Sequence, residues 1–221
     1  MCTMNIIAIV SGGLDSAVML RKLLNDGHAV RSLSFNYGQR HAKELVFADE
    51  MSRLWQVSHE TADLRGIAHL LAGSSLTSAE VAVPEGHYTE ESMKATVVPN
   101  RNMIMISVAV GWAVSLKFDA VAYAAHAGDH AIYPDCREEF ANALDQTCRL
   151  ADWHAVSLLR PFVRMTKTEI VALGARLQVP FKKTWSCYQG GELHCGKCGT
   201  CVERREAFAL AAIQDPTQYS H

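Results

Sequence analysis

Short apolar runs alternate along the chain with segments whose apolar residues recur every three or four positions, and that alternation predicts strands and helices in turn. The run Asn5-Ile6-Ile7-Ala8-Ile9-Val10 predicts a first strand. Residues 15–25 predict a helix, with Val18, Leu20, Leu23 and Leu24 on its apolar surface and Gly27 ending it. A strand over 29–35, a long helix over 40–55 and a strand over 57–62 follow. Such βαβαβ order builds a parallel sheet, because each helix carries the chain back to start the next strand in the same direction. The rhythm breaks over residues 74–96, where Ser, Thr, Gly, Pro and four glutamates mix without a period, and a surface loop lying over the site as a lid is expected there. Beyond it the pattern predicts an apolar helix over 103–116, a strand over 120–125, a helix over 137–150 and a strand over 156–159. A last helix before Leu177 starts at Thr166-Lys167-Thr168-Glu169, which has capping-box spacing. The expected fold is α/β, a parallel, doubly wound, Rossmann-like sheet of about five strands with ligands at the carboxyl ends of the strands. No internal repeat is visible, and the one module boundary falls near Val179-Pro180.

The first strand runs directly into Ser11-Gly12-Gly13-Leu14-Asp15-Ser16. Paired glycines let backbone N–H groups approach an anion without Cβ obstruction, and Ser11, Asp15 and Ser16 suit a polar turn and helix cap. The segment lacks both the Gly-Lys-Ser/Thr of a kinase-type phosphate loop and the GxGxxG spacing of a dinucleotide site. The pattern S-G-G-x-D-S resembles the pyrophosphate loop of the N-type ATP pyrophosphatase (PP-loop) superfamily. That resemblance implies an adenine nucleotide alpha hydrolase-like fold and cleavage of ATP between its α and β phosphates, leaving an adenylylated substrate.

Composition narrows the partners. With 221 residues and 49 % hydrophobic content, the chain suits one sizeable α/β domain with a small appendage. Lys+Arg at 21 against Asp+Glu at 23 gives a net charge of −2, no field for sequence-independent nucleic-acid binding, so a small-molecule substrate is favoured. The start Met1-Cys2-Thr3-Met4 carries no basic segment with an apolar signal core, so a cytoplasmic protein is expected. The apolar helix over 103–116 is shorter than the roughly 20 residues a bilayer span needs, and no membrane partner is expected.

Of seven cysteines, Cys187, Cys195, Cys198 and Cys201 form C-x7-C-x2-C-x2-C among Gly190, Gly191, Gly196 and Gly199. Four thiolates match tetrahedral structural zinc, whose binding in peptides is worth about 10–16 kcal/mol at neutral pH. An iron–sulfur cluster is the rival, because C-x2-C-x2-C also occurs in ferredoxin-type ligation. His194 reads as a neighbour of the ligands. Cys2 reads as incidental, and Cys148 and Cys136 as packing residues.

Together, residues 11–16, Phe35-Asn36-Tyr37-Gly38-Gln39-Arg40-His41, Val98-Pro99-Asn100-Arg101-Asn102, Tyr133-Pro134-Asp135-Cys136-Arg137 and the four-cysteine cluster resemble the 7-cyano-7-deazaguanine synthase (QueC) family, in order and over nearly the whole chain. The resemblance implies an ATP-dependent C–N ligase that joins 7-carboxy-7-deazaguanine and ammonia to give the nitrile 7-cyano-7-deazaguanine, a queuosine precursor. It divides the chain into a PP-loop catalytic domain over 1–179 and a zinc-binding module with a final helix over 180–221. ATP falls to Ala8, Ile9 and Val10 of the strand, Ser11, Gly12 and Gly13 of the turn, and Leu14, Asp15, Ser16, Ala17 and Val18 of the helix. Ser11, Asp15 and Ser16 are the catalytic group, Mg²⁺ accompanies ATP, and Cys187, Cys195, Cys198 and Cys201 hold one structural zinc per chain. A homodimer is implied as well.

Substrate contacts are read from position. Tyr37, Gln39 and His41 stand at one strand end, while Arg101, Asp129, Asp135 and Arg137 are candidates for phosphate or the deazapurine, since an acidic residue pairs with a guanine-like edge and arginine holds a carboxylate. Lys167 is a further phosphate candidate; His126 and His130 do not make a second metal site. The alternatives are another PP-loop adenylylating enzyme, an amidating synthetase or a tRNA-thiolating enzyme. A zinc-ribbon nucleic-acid-binding protein is the reading from another class, supported by six basic residues against two acidic ones between Arg176 and Arg205.

Overall fold

The computed structural model describes residues 3–40, 43–71, 73–78, 80–86, 94–129 and 133–220. Five parallel strands, β1 (Asn5–Ile9), β2 (Ala29–Asn36), β3 (Ser58–Asp63), β4 (Ala120–Ala122) and β5 (Ser157–Leu159), make one sheet in the order β3-β2-β1-β4-β5. The sheet is that expected from the apolar alternation. Its order reverses beside β1, so the crevice for a ligand opens where β1 and β4 diverge at their carboxyl ends. Ile7 is paired with Arg31 of β2 on one side and with Val121 of β4 on the other.

β1 is apolar throughout because both of its faces are covered. Ile6, Ala8 and Val10 face a core shared with α1 (Leu14–Asn25), α2 (Lys43–Leu54) and α5 (Lys167–Arg176). Ile7 faces the opposite core, built with Ile106, Ala109 and Ala113 of α3 (Arg101–Leu116) and Ala141 and Leu144 of α4 (Glu138–Leu150). The helices thus lie on both faces of the sheet. At the start of α5 the capping box forms as its spacing predicts: Thr166 Oγ1 accepts the Glu169 N–H at 3.3 Å, and Glu169 Oε2 accepts the Thr166 N–H at 2.7 Å.

Two boundaries differ from the sequence expectation in ways that matter for the site. β4 ends at Ala122 instead of 125, because β5 supplies only three residues of ladder; after the Tyr123 N–H reaches the Leu159 carbonyl at 3.1 Å, the chain leaves the sheet. α3 starts at Arg101, two residues early, after Asn100 turns the chain with a φ of 56°. Both shifts bring side chains to the carboxyl edge of the sheet. Of the 74–96 loop, the described ends are anchored: Ser74 and Ser75 are fully buried, and the Gly86 N–H donates to the Lys197 carbonyl at 2.8 Å. No helix among the described residues is long and apolar enough to cross a membrane.

The carboxyl-terminal segment is packed into the same molecule. Phe181 and Phe208 of α6 (Gly199–Leu210) join the β1 core, their rings edge to face at 4.9 Å. Behind them Arg204 is completely buried. Its guanidinium donates to Thr184 Oγ1 at 2.8 Å, to the Phe181 carbonyl at 3.1 Å and to Asp215 Oδ1 at 3.4 Å, and its carbon lies 5.1 Å from the Phe208 ring centre. Asp215 also accepts the Tyr219 hydroxyl at 2.6 Å. One arginine therefore fixes α6 to residues 181–186 and to the chain end. Arg204→Ala strands Asp215 and three acceptors, at Thr184, Ser186 and the Phe181 carbonyl, in a half-dry site, and is expected to lower the unfolding free energy by about 3 kcal/mol in a urea titration; a change under about 0.5 kcal/mol would contradict this role.

Candidate functional site

The carboxyl ends of β1, β2 and β4 open into a cleft of about 280 Å³. Its floor is the turn after β1. Gly12 takes a φ of +81°, and a Cβ there would sit 2.1 Å from the Glu44 carbonyl oxygen, so both dihedral and space require glycine. The Gly12 carbonyl accepts the Trp185 N–H at 2.9 Å. Two serines brace the turn from within: Ser16 Oγ accepts the Ser11 N–H at 3.2 Å and donates to the Gly13 carbonyl at 3.0 Å, while Ser11 Oγ accepts the Gly13 N–H at 3.3 Å. Gly13 caps α1 without a side-chain bond, which leaves the first-turn N–H groups and the positive end of the helix dipole to an outside anion.

Charges gather beside this turn. Lys167, at the first position of α5, puts its Nζ 2.5 Å from Asp15 Oδ2 and 3.6 Å from Glu203 of α6. His126 lies buried after β4 with Nε2 4.0 Å from Asp15 Oδ2, and its Nδ1 accepts the Gly128 N–H at 3.1 Å. Burial works to raise the Asp15 pKa, but the charges of Lys167 and His126 and the Lys167 hydrogen bond outweigh it and hold the carboxyl below its ordinary value. Asp15 Oδ1 is buried with no hydrogen-bond partner among the described residues, an acceptor shaped for something outside the chain.

The opposite wall is aromatic and carries further ionisable groups. Arg101 donates to the Tyr37 hydroxyl at 3.3 Å and lies 5.9 Å from its ring centre. Gln39 locks the loop after β2: its Oε1 accepts the Tyr37 N–H at 2.9 Å and its Nε2 donates to the Phe35 carbonyl at 3.0 Å. Glu44, in the first turn of α2, lines the cleft near Arg101; burial pushes its pKa up to about 7 against the pull of Arg101 and a Gln39 hydrogen bond. Tyr123, Tyr133 and Tyr188 complete this side, with Thr96 hydrogen-bonded to the Tyr133 hydroxyl at 2.7 Å and the Tyr123 hydroxyl buried without a partner among the described residues.

Of the residues singled out from sequence, Ile9, Val10, Ser11, Gly13, Leu14, Asp15, Ser16, Tyr37, Gln39 and Arg101 line the cleft. Ala8, Ala17 and Val18 are core residues beneath it. Asp135 faces α3, accepting the Asn102 N–H at 3.4 Å, and Arg137 is an exposed residue ahead of α4; neither lines the cleft. The Asp129 side chain, His41, His130 and Cys2 lie outside the described residues. Lys167 does double duty as helix start and cleft cation. Glu44, Glu203, Trp185 and Tyr123 were not read from sequence. Thr200 and Glu203 lie three apart on α6 and both line the cleft, so helical spacing after the last cysteine signals them.

The four cysteines converge as their spacing predicts: the sulfurs of Cys187, Cys195, Cys198 and Cys201 all lie within 4.8 Å of one another. Backbone N–H groups point at them, from Cys195 to Cys187 Sγ at 3.3 Å and from Cys198 to Cys195 Sγ at 3.2 Å, an arrangement that stabilises thiolates. The cluster fits a soft metal ion or metal cluster. His194 is not a fifth candidate, because its Nε2 accepts the Ser186 N–H at 3.1 Å and its ring packs, tilted, against Trp185 with centroids 4.2 Å apart. Cys187 also lines the cleft, so the cysteine cluster forms part of its wall.

Comparison with known proteins gives one consistent answer. Residues 5–212 match the model of the family described as queuosine biosynthesis protein QueC. The chain is 50 % identical over 217 residues to the 7-cyano-7-deazaguanine synthase of Pseudoalteromonas translucida, covering 98 % of this chain and 99 % of that one. It is 55 % identical over 218 residues to the synthase of that name from Rhizobium meliloti, with coverages of 98 % and 92 %. Among solved structures it is similar to NMN synthetase from Francisella tularensis, with a TM-score of 0.55, 16 % identity and coverages of 96 % and 78 %. It is also similar to the U34-tRNA thiolase NcsA from Methanococcus maripaludis, solved with its [4Fe-4S] cluster, with a TM-score of 0.52, 16 % identity and coverages of 95 % and 72 %. At these identities the structural likeness shows the fold alone.

Gly12→Ala is expected to cost about 3 kcal/mol of stability and to abolish ATP binding in calorimetric titration, because both its dihedral and the Glu44 carbonyl reject a methyl group. ATP binding at wild-type affinity by a folded Gly12→Ala protein would contradict the assigned turn.

Proposed function

The chain belongs to the QueC family of queuosine biosynthesis proteins, and from that premise we propose that it converts 7-carboxy-7-deazaguanine, ammonia and ATP into 7-cyano-7-deazaguanine. The observation that carries the reading at the site is the cleft itself, which joins a glycine turn at a helix N-terminus, the Lys167–Asp15 pair and Arg101 in one pocket. A carboxylate is a poor electrophile. Its oxygen attacks the α-phosphorus of ATP, the bond to the bridging oxygen breaks, and pyrophosphate leaves. Ammonia then attacks the acyl carbon, the C–O bond to phosphate breaks, and AMP departs to leave the amide. A second adenylylation on the amide oxygen lets AMP leave again as two N–H protons are lost, which gives the nitrile.

This chain's residues act mainly by position and charge. The first-turn N–H groups of α1 and the Lys167 ammonium bind the departing pyrophosphate, whose negative charge grows as the bond breaks. Arg101 holds the substrate carboxylate, and Tyr37 and Tyr123 flank the deazapurine. The orphaned Asp15 Oδ1 and the Glu203 carboxylate suit a hard cation, and they are the residues that would hold the Mg²⁺ of the nucleotide. That ion, when bound, neutralises phosphate charge. Cys187, Cys195, Cys198 and Cys201 hold zinc, a closed four-sulfur set suited to a structural role. Residues 1–179 form the catalytic part and 180–221 the metal-binding part continuous with it. The protein works as a homodimer in the cytoplasm, with ammonia as its nitrogen substrate.

Purified protein with Mg-ATP, ammonium and 7-carboxy-7-deazaguanine is expected to form the nitrile together with AMP and pyrophosphate; a folded, metal-loaded sample that forms none of these would reject the reading. Asp15→Ala is expected to lower kcat by about 100-fold while retaining one zinc by elemental analysis. Cys198→Ala is expected to lose both the zinc and the folded state. Iron and a visible absorption band in the native protein would replace zinc with a cluster.

A further inference from the structure

The amidation step needs a base, because ammonium at neutral pH carries its nitrogen lone pair as an N–H bond and cannot attack carbon. Among the described carboxylates and imidazoles that line the cleft, three are committed. Asp15 and Glu203 both face the Lys167 ammonium, at 2.5 Å and 3.6 Å. His126 has its Nδ1 taken by the Gly128 N–H and its Nε2 turned to Asp15 at 4.0 Å. Glu44 remains.

The geometry points to Glu44 as the residue that binds ammonium in the cleft and takes its proton before attack on the acyl adenylate. The inference rests on the amidating function proposed above. Glu44 is placed for this in two ways. Its backbone carbonyl lies against Gly12, so the residue stands at the edge of the phosphate turn, where the acyl phosphate forms. Its carboxyl is held by Gln39, whose amide is itself fixed by Tyr37 and Phe35. Among the described residues, the charged and titratable groups that face it are Arg101 from α3 and Tyr37 from the loop after β2. The neighbouring Lys43 turns away, donating to the carbonyls of Gly191 and Glu192 at 2.6 and 3.0 Å. Arg101, assigned above to the substrate carboxylate, faces the Glu44 carboxyl across the cleft, so a carboxylate held there would be activated beside Glu44. A carboxyl raised to about 7 is a base of suitable strength at neutral pH.

The step balances. Glu44 carboxylate and ammonium give Glu44 carboxylic acid and ammonia; the nitrogen lone pair forms the C–N bond, the C–O pair leaves with AMP, and the surplus proton passes to solvent, as does the one on Glu44 before the next turnover.

Glu44→Gln keeps the shape and removes the base. Three rates are measured for wild type and variant: substrate-dependent ATP–pyrophosphate exchange, amide formation from ammonium, and hydroxamate formation from hydroxylamine, a nucleophile already uncharged at neutral pH. The variant is expected to lose about 100-fold in amide formation at pH 7, regaining rate as pH rises, while hydroxamate formation falls by no more than about 5-fold. An equal fall of amide and hydroxamate would overturn the proposal in favour of a structural or binding role, and so would amide formation at the wild-type rate. Absence of exchange in the wild type would instead reject the amidating function itself, and this inference with it.

Discussion

The turn of residues 11–16 has almost no freedom in how it folds, and the rest of the site is arranged around that fact. Gly12 is pressed against the Glu44 carbonyl so closely that a methyl group would overlap it, and its own carbonyl is taken by Trp185. The first contact sets α2 beside the phosphate turn and with it Glu44; the second sets the cysteine-bearing segment on the other flank. A backbone curved this way, with a helix starting at residue 14, presents N–H donors that need no reorganisation when an anion arrives, which is the condition under which hydrogen bonds do most for a charged transition state.

Around that turn the sheet order supplies the remaining groups. β1 is central, so its neighbours β2 and β4 deliver the Tyr37–Gln39 loop and the Tyr123–His126 segment to opposite sides of the same crevice. The carboxyl-terminal segment closes a third side. Its four cysteines converge, the Cys187 residue reaches the cleft, and α6, held by the buried Arg204, brings Thr200 to the cleft and Glu203 to the Lys167 ammonium. The cysteine cluster and the glycine turn are thus one structural unit at their contact. A metal held by these sulfurs would therefore brace the wall that carries Trp185 and Glu203 as well as the tail itself.

Much of this was legible in the sequence because local rules govern it. Strand and helix periods, the capping box at Thr166, the glycine turn and the cysteine spacing are properties of short segments, and each appears where its residues require. What was not legible depends on distant partners. β4 stops early because β5 is short, which no residue of β4 reveals. Asp135 belongs with the charged motif Tyr133-Pro134-Asp135-Cys136-Arg137 in sequence, yet its carboxylate caps the start of α3, while its neighbours Tyr133 and Cys136 line the cleft. Glu44 looks like an ordinary acidic residue in a helix's first turn; only the approach of α2 to Gly12 and of Arg101 from α3 gives it a special environment.

The central claim is that one phosphate turn activates two oxygens in succession, first of a carboxylate and then of an amide. It is tested most directly by following the carboxylate oxygens through a full turnover with 7-carboxy-7-deazaguanine labelled with ¹⁸O at both positions, and locating the label by mass spectrometry of the nucleotide products. The account expects two AMP molecules per nitrile, each carrying one ¹⁸O, with unlabelled pyrophosphate. Label in inorganic phosphate or pyrophosphate, or ADP in place of AMP, would contradict it.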